Sequence, residues 1–326
     1  MTRRHDQLDE DDVRVRPGKG KSRARSKIRP VHSDVLPAMV TTVDRGRFTT
    51  APVSSPTTRV FAVKARELGR KGVVVGDIVD LVGDTSGQTD ALARIVNRRS
   101  RRSVLRRSAD DNDPDERVVV ANADQLGIVV AAADPEPRPR LIDRAVIAAL
   151  DGGLTPILII TKTDIASPAG LLELYEPLDI PLVMRSKGEP LDAINELTRG
   201  HTTVLMGHSG VGKSTLVNGL VPSAVRTTGE VNAVTGRGRH TSTSAVAFPL
   251  EDGWVVDTPG IRSFGLAHVD LSRFLRAFPD LEAGSDKCPR GCTHDNEHCA
   301  LDEFVANGGA DPARLTSLRR LLASRD

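Results

Sequence analysis

Apolar positions follow two different patterns along the chain. Between residues 38 and 121, short apolar stretches alternate with turns rich in Gly, Pro, Asp and Ser, which is typical of β-strands. The predicted strands occupy residues 39–44, 59–64, 73–82 and 91–96. Short strands at this spacing predict a small β-barrel of the OB type.

From residue 125 onwards, apolar strands alternate with segments of helical periodicity. Strands are predicted at residues 126–132, 156–160, 182–185, 202–206, 245–250 and 254–256, and helices at residues 141–150, 168–175, 191–197 and 213–220. This alternation predicts a mostly parallel sheet with helices on both faces. A last helix is predicted after Asp311, because Asp is a common N-cap and Pro312 suits the first helical position.

Composition narrows the class of protein. The 326 residues are enough for several domains, and 39% are apolar but only 3% are aromatic, so the cores must be aliphatic. Aliphatic cores favour buried parallel strands. The sequence shows no secretion signal and no apolar run long enough to span a bilayer. We therefore expect a cytoplasmic protein without a membrane partner.

Positive charges are clustered, although the net charge is only +2. Every charged residue from Arg14 to Arg29 is basic. Residues 1–35 are predicted to be a disordered arm, either a solvated tail or a segment that binds nucleic-acid phosphates. A second basic cluster is either a charged linker or an RNA contact, and it comprises Arg98, Arg99, Arg101, Arg102, Arg106 and Arg107.

Residues 207–214 match the phosphate-loop pattern of two glycines five positions apart, followed by Lys and Ser. Glycines let the backbone curl so that successive N–H groups face phosphate oxygens. Lys213 would act as a catalytic contact to the β- and γ-phosphates, and Ser214 would bind Mg²⁺. The predicted nucleotide contacts are Gly207, His208, Ser209, Gly210, Val211, Gly212, Lys213, Ser214 and Thr215. An ordinary glycine turn fits less well, because an apolar strand precedes the loop and a helix follows it.

A second phosphate-facing motif is Asp257-Thr-Pro-Gly260, which follows a predicted strand. Asp257 could hold Mg²⁺ through water, and the N–H of Gly260 could meet the γ-phosphate. The tetrapeptide alone also fits an ordinary turn. About 50 residues after a phosphate loop, it favours the nucleotide interpretation.

The segment Thr161, Lys162, Thr163 and Asp164 is the candidate for base recognition. Asp164 could accept hydrogen bonds from N1–H and N2–H of guanine, whereas adenine would leave its carboxylate unpaired. A site that requires such a bond discriminates by about 10⁴ or more. Lys and Asp are common in loops, so the tetrapeptide alone does not indicate base recognition. The phosphate loop and the Asp257 motif favour that interpretation. Ser186 could supply a further base contact.

Between the phosphate loop and Asp257 lies a glycine-rich loop, residues 236–243. One hydroxyl from Thr241, Ser242 or Thr243 would bind Mg²⁺ and respond to the γ-phosphate. Thr241 is the candidate ligand, with Ser242 and Thr243 as alternatives. The order of motifs is unusual, because the segment that recognises guanine precedes the phosphate loop. Strands that are neighbours in space still allow the nucleotide site to form.

All three cysteines lie in one short segment, as Cys288, Cys292 and Cys299. With His294 they form a Cys₃His set suited to tetrahedral Zn²⁺, and four protein ligands imply a structural site. His298 is a competing ligand. Free cytosolic thiols are the alternative interpretation, which the clustering disfavours.

Together these motifs resemble the ribosome small-subunit-dependent GTPases, the RsgA or YjeQ family. The resemblance covers residues 36–326. It implies an OB barrel (36–115), a circularly permuted P-loop GTPase domain (116–268) and a small, mostly helical zinc-binding domain (269–326). It also implies GTP/GDP with Mg²⁺, one Zn²⁺, and a role in late maturation of the small (30S) ribosomal subunit. That particle and its rRNA would be the partner, and the particle would stimulate GTP hydrolysis. We expect the protein itself to be a monomer.

The chain departs from the usual family pattern at three places, in the guanine segment, the phosphate loop and the cysteine segment. Thr161 replaces an Asn, which predicts weaker nucleotide binding, and His208 stands where Gln is frequent. The cysteine segment is one residue shorter in two of its gaps. Position 261 is Ile, an apolar residue that the family shares, where many GTPases use Gln to orient water. We hypothesise that His240 orients the attacking water, helped by Arg239 or a ribosomal group.

Three other functions remain open on the sequence. A P-loop ATPase or kinase would use the same phosphate loop, and Asp164 discriminates against it. A non-enzymatic rRNA-binding assembly factor would bind GTP without turnover. A zinc-dependent RNA-binding module with a vestigial nucleotide site is disfavoured, because the phosphate-contacting residues are intact.

Overall fold

The computed structural model describes residues 34–68, 72–88, 90–107, 117–221, 245–258, 266, 274–296 and 298–324. These residues belong to one compact unit, Asp34–Asp326. Several predicted features lie outside the described residues. They are residues 1–33 of the basic arm, the loop with Arg239, His240, Thr241, Ser242 and Thr243, and Gly260 with Ile261.

The N-terminal part is a closed β-barrel, as predicted. Its strands are β1 (Leu36–Asp44), β2 (Arg47–Pro52), β3 (Val60–Lys64), β4 (Ile78–Gly83) and β5 (Ala93–Arg98). They pair in the order β1-β2-β3-β5-β4, and β4 returns to β1 to close the barrel. Only β3 and β5 run parallel among these pairs. Aliphatic side chains such as Val40, Leu81 and Ile95 fill the interior.

Two details of the barrel differ from the sequence prediction. The single strand expected at residues 73–82 is a turn followed by β4, because the Asp77 carboxylate accepts the Val74 N–H (2.8 Å) and holds the chain in a bend. Gly76 adopts φ +85° there, and a Cβ on it would lie 1.9 Å from the Ala121 carbonyl oxygen. Strand β2 was not predicted, because two threonines interrupt its apolar pattern. One of them, Thr50, is nevertheless buried, and its hydroxyl donates to Val60 O (2.9 Å).

A hairpin, β6 (Val104–Arg107) and β7 (Arg117–Ala121), precedes the large sheet. The remaining strands are β8 (Gln125–Ala131), β9 (Thr155–Thr161), β10 (Leu182–Arg185), β11 (His201–Gly207), β12 (Val246–Pro249) and β13 (Gly253–Asp257). Their order is β10-β9-β8-β11-β13-β12, and all neighbours are parallel except β12 with β13. The predicted mostly parallel sheet is therefore confirmed.

Helices cover both faces of this sheet. They are α1 (Pro139–Gly152), α2 (Ala169–Tyr175), α3 (Asp192–Thr198) and α4 (Lys213–Leu220). The C-terminal helices are α5 (Pro279–Ser285), α6 (Ala300–Ala306) and α7 (Pro312–Ala323). The core under α1 and α2 continues into the C-terminal helices, whereas α3 and α4 cover the second core. Helix α7 begins as predicted, with the Asp311 carboxylate accepting the Ala313 N–H (2.8 Å). Among the described residues, no helix is long and apolar enough to cross a membrane.

The barrel and the large sheet are joined through β1 and β12, where Thr42 pairs with Val246. The second basic cluster lies at this junction, and part of it serves the fold. Arg101 forms a nearly buried pair with Asp77 (2.7 Å), and Arg99 pairs with Asp80 (2.8 Å). Arg102 contacts Asp124 at the start of β8. These three arginines therefore form ion pairs within the fold, although the side chains of Arg99 and Arg102 remain 46% and 58% exposed.

Candidate nucleotide site and metal cluster

The predicted nucleotide motifs meet at one edge of the parallel sheet. Thr161 ends β9, Gly207 ends β11 and Asp257 ends β13, and all three strands run in the same direction. Strand β8 lies between β9 and β11, so residues distant in sequence become neighbours. In open α/β sheets this edge, at the carboxyl ends of the strands, is where ligands bind.

The phosphate loop owes its shape to its glycines. A Cβ on Gly207 would lie 2.6 Å from the Val129 carbonyl oxygen, so only glycine lets β11 end against β8 in this way. Gly210 and Gly212 adopt φ +87° and +90°, a region that other residues rarely occupy. The loop closes on the first turn of α4 at Lys213, and Ser209, Gly210, Ser214 and Thr215 are exposed. Half-buried His208 lies at the start of the loop, with Nδ1 3.1 Å from Ser209 O. The loop thus offers backbone N–H groups and a helix N-terminus to an anion.

Lys213 connects the phosphate loop with the end of β13. Its ammonium contacts the Asp257 carboxylate and donates to Thr258 O (2.9 Å). Thr258 is fully buried, and its hydroxyl donates to Leu205 O (2.8 Å), which fixes the chain after Asp257. A cation and a carboxylate thus lie together beside the loop.

The segment that follows β9 reaches the phosphate loop directly. The Thr161 hydroxyl donates to Val211 O (2.6 Å), inside the loop. Lys162 has φ +58°, and its ammonium contacts Asp134 O in the connection from β8 to α1. Thr163 and Ser186 share a hydrogen bond between their hydroxyls (2.9 Å).

Asp164 lies exposed at the rim of the site, and its carboxylate accepts the Lys187 N–H (3.1 Å). Ser186 is fixed by its own N–H, which donates to the Glu189 carboxylate (2.7 Å). Sequence reasoning missed Asp134, Lys187 and Glu189. No motif marks them, because they reach the site only through the packing of connections that follow different strands.

The Cys₃His set also comes together. Donor atoms of Cys288, Cys292, His294 and Cys299 all lie within 4.8 Å of one another. Cys288 Sγ lies 3.9 Å from Cys299 Sγ, and each of these sulfurs lies 3.7 Å from His294 Nδ1. Tetrahedral Zn²⁺ with bonds of about 2.3 Å to sulfur separates two sulfurs by about 3.8 Å. The residues present therefore fit a tetrahedral metal ion.

The surroundings support the choice of His294 over His298. His294 adopts φ +64°, and Arg319 donates to its carbonyl oxygen (3.0 Å), so its backbone is held in place. His298 is exposed and outside the cluster. Burial lowers the pKa of His294, which favours the neutral imidazole that ligates metals. Burial raises the pKa of the Cys299 thiol to about 12, so its thiolate needs a neighbouring positive charge.

Comparison with known proteins places these features in a family. A family profile described as RsgA GTPase matches residues 98–267. A Chlorobaculum parvum protein named "Small ribosomal subunit biogenesis GTPase RsgA" is 33% identical over 315 residues, which are 90% of this chain and 99% of that protein. A Pseudomonas aeruginosa (strain LESB58) protein of the same name is 39% identical over 217 residues, which span 63% of this chain and only 64% of that relative.

Two solved structures share the fold. YjeQ from Thermotoga maritima matches with a TM-score of 0.64 and 24% identity, over 90% of this chain and 99% of that one. YloQ, described as a circularly permuted GTPase, matches with a TM-score of 0.64 and 21% identity, over 90% and 96%. The fold of this chain is therefore that of a circularly permuted GTPase.

Proposed function

Because this chain belongs to the RsgA GTPase family, we propose that it binds GTP and hydrolyses it to GDP and phosphate. The observation that carries this proposal is the meeting of three motifs at one sheet edge. They are the phosphate loop after β11, Asp257 at the end of β13, and Thr161–Asp164 after β9. The fold thereby supports a site that binds the phosphates and the base of one nucleotide.

The phosphates would bind the backbone N–H groups of the loop, and Lys213 would balance the charge of the β- and γ-phosphates. Ser214 and Thr241 would hold Mg²⁺ directly, and Asp257 would hold it through water. The ion, when bound, neutralises charge on the transferring phosphoryl group. We assign orientation of the attacking water to His240, with help from Arg239 or a ribosomal group. Intrinsic turnover should therefore be slow and strongly stimulated by the partner.

Guanine would bind between Lys162 and the carboxylate of Asp164. The Lys187 N–H already orients that carboxylate (3.1 Å), and the bond between Thr163 and Ser186 joins the two base-facing segments. Asp164 would accept from N1–H and N2–H of guanine. This favours a GTPase over an ATPase, because adenine cannot donate at these positions.

Hydrolysis by the purified full chain, with and without small subunits, tests the proposal. Lys213→Ala should abolish turnover and serves as the blank. Asp164→Asn should weaken GTP binding by more than about tenfold, since it loses a charged acceptor. GTP binding without any turnover, even with small subunits, would instead support a non-enzymatic assembly factor. ATP that competes equally with GTP would contradict the base assignment.

We further propose the small ribosomal subunit as the partner, as the names of the relatives suggest. The outer face of the barrel supports an RNA contact. Thr49 pairs with Phe61 across β2 and β3, and Phe61 is 42% exposed. Two residues further along β3, Val63 pairs with Arg47 on β2 and with Arg94 on β5, and both arginines are exposed. Arginines around an exposed aromatic ring suit RNA, because bases stack on the ring and phosphates pair with the guanidiniums.

Salt titration of binding to purified small subunits tests this face. Replacing Arg47 and Arg94 by Gln should lower affinity and flatten its dependence on salt, because fewer counterions are released. Arg117→Gln, on the exposed start of β7, is the control. Equal binding by all variants would remove the barrel face from the proposal.

The Cys₃His cluster would hold one structural Zn²⁺, since four protein donors leave no open position. We retain the division into residues 36–115, 116–268 and 269–326 as part of the proposal. A monomer in the cytoplasm agrees with a ribosomal partner.

A further inference from the structure

A groove lies where the barrel meets the large sheet, away from the residues of the nucleotide site. Its volume is about 440 Å³, which is within the range of about 300–1,000 Å³ that is typical of ligand sites, and such sites favour domain junctions. Thr202 and Trp254 line it from the amino ends of β11 and β13. The groove is therefore at the sheet edge opposite to the nucleotide site.

The floor of the groove is apolar. Met39 of β1, Ile78 of β4 and the half-buried ring of Trp254 line it, and all three contribute to the core that lies under α1. Val53, which also lines the groove, is 58% exposed although it is aliphatic. A partly exposed indole beside aliphatic side chains suits a flat ring, because an aromatic ligand can stack on it and cover apolar surface.

Two arginines form a polar wall of the groove. The side chains of Arg99 and Arg102 are 46% and 58% exposed, whereas their partners Asp80 and Asp124 are only 11% and 22% exposed. The carboxylates thus hold the guanidiniums from the protein side. A guanidinium has five N–H donors, so donors remain for a phosphate. Because both arginines are already paired, their attraction for an anion is moderate, and a bound ring must supply the rest of the affinity.

We propose that this groove binds one nucleotide of a single-stranded RNA, with its base on Trp254 and its phosphate beside Arg99 and Arg102. Paired arginines suit the single charge of a phosphodiester better than the clustered charges of a free di- or triphosphate. The groove is also continuous with the proposed RNA face of the barrel, because β2 begins at Arg47 on that face and ends at Pro52 in the groove. The inference rests on the proposed RNA partner and is independent of GTP hydrolysis.

Trp254 is the only tryptophan in the chain, so its fluorescence reports on the groove. The full chain is saturated with GDP and Mg²⁺ and titrated with a hexamer of adenylate, which lacks the guanine that the nucleotide site is proposed to recognise. Adenosine monophosphate is titrated in parallel as the free nucleotide. Polarisation of a labelled hexamer gives the Kd for each variant, and thermal unfolding confirms that the variant is folded.

The variants change the groove at an exposed position and at its ring. Val53→Glu adds a negative charge that repels phosphate, whereas Val53→Lys adds a positive charge at the same place. Leu92→Glu is the matched control, because Leu92 is an aliphatic residue before β5, 49% exposed and outside the lining of the groove. Trp254→Leu removes the ring.

The hexamer should quench wild-type Trp254 until the groove is saturated. Val53→Glu should raise the Kd of the hexamer several-fold, whereas Val53→Lys and Leu92→Glu should not. Trp254→Leu should raise it on the order of tenfold, the effect of losing one stacked base. GDP affinity and GTP turnover without small subunits should equal those of the wild type in every variant.

Trp254 fluorescence that the hexamer leaves unchanged would overturn the inference, and so would a wild-type Kd in Val53→Glu. Adenosine monophosphate that binds as tightly as the hexamer would also overturn it, because the groove would then serve free nucleotides. A wild type that binds small subunits but does not show the quenching would count against the groove alone. A wild type without GTP turnover would count against the proposed GTPase and not against the groove.

Discussion

At the scale of single residues, the site depends on close approaches that only small side chains permit. Gly207 lies where β11 meets β8, and an added Cβ would lie 2.6 Å from Val129 O and 2.8 Å from the Val211 side chain. The first of these is a backbone atom of a central strand, which cannot move away. Gly170 in α2 offers the opposite case, since an added Cβ there has no atom within 4 Å.

Gly207→Ala should therefore displace the phosphate loop from β8. We expect a loss of about 1–3 kcal/mol of stability from overpacking, and a larger Kd for GDP. Gly170→Ala should leave GDP binding unchanged, and it should leave the free energy of unfolding unchanged or slightly increased. Urea unfolding and GDP titration of both variants check this. A Gly207→Ala protein that binds GDP like the wild type would show that the loop can shift without cost.

At the scale of elements, a buried polar network fastens α7 to α1 and α2. The Asp143 carboxylate accepts from the Tyr175 hydroxyl (3.0 Å) and the Ser324 hydroxyl (3.3 Å), and it pairs with Arg320 (3.3 Å). The Arg320 guanidinium also lies 4.9 Å from the Tyr175 ring centroid. Four leucines of α7, at positions 315, 318, 321 and 322, are all buried here. The C-terminal helix thus belongs to the same core as the helices of the large sheet.

This network gives a pH dependence of known sign. Burial raises the pKa of Asp143 above the ordinary value of about 3.9. A carboxyl group whose pKa is raised on folding stabilises the folded state at pH values below its pKa in the unfolded chain. That contribution is lost as pH rises through its pKa in the folded protein. Relative to Asp143→Asn, the wild type should therefore lose unfolding free energy as pH rises from about 4 to 7. Urea unfolding across this range checks it.

Asp280 is the control, because its pKa is shifted in the direction opposite to that of Asp143. Burial alone would raise its pKa, but the hydrogen bonds and charge of Arg314, together with backbone hydrogen bonds, outweigh burial, and the pKa is lowered. The Asp280 carboxylate therefore stabilises the fold at pH values above its pKa in the unfolded chain. That stabilisation is lost as pH falls through its lower pKa in the folded protein. Asp280→Asn should cost stability at pH 7 and little in acid. The same sign of pH dependence in both variants would contradict this account.

A Zn²⁺ ion bound to the Cys₃His cluster would hold together the segment between α5 and α6. His294→Ala should abolish binding of one Zn²⁺ per chain, because three donors remain, whereas His298→Ala should keep it. A chelator should lower the thermal midpoint of the wild type and leave His294→Ala unaffected. Metal analysis and melting curves check this, and loss of metal in His298→Ala would reassign the ligand.

At the scale of the whole molecule, the strands that the sequence predicted most directly are those with continuous apolar runs. Strands β8, β9 and β11 are almost entirely buried, so their apolar runs marked them. The hairpin β6 and β7 escaped prediction, because arginines occupy half of β6 and flank it. The position of the glycine motifs was predictable from spacing. The contacts of Thr161 with Val211 and of Lys162 with Asp134 were not, because they depend on strand order.

The last prediction concerns the junction of barrel and sheet. Arg101 pairs with Asp77, which is fully buried, and its Nη2 also donates to Gly72 O (3.3 Å). Arg101→Met leaves that carboxylate unpaired, which typically costs about 3–5 kcal/mol. The loss should loosen the barrel and weaken small-subunit binding. GDP affinity should stay unchanged, because the nucleotide site lies at the ends of β9, β11 and β13, outside the barrel. Arg107→Met, on an exposed position of β6, is the control. Unfolding and GDP titration check both, and a parallel loss of GDP affinity would mean that barrel and sheet unfold as one.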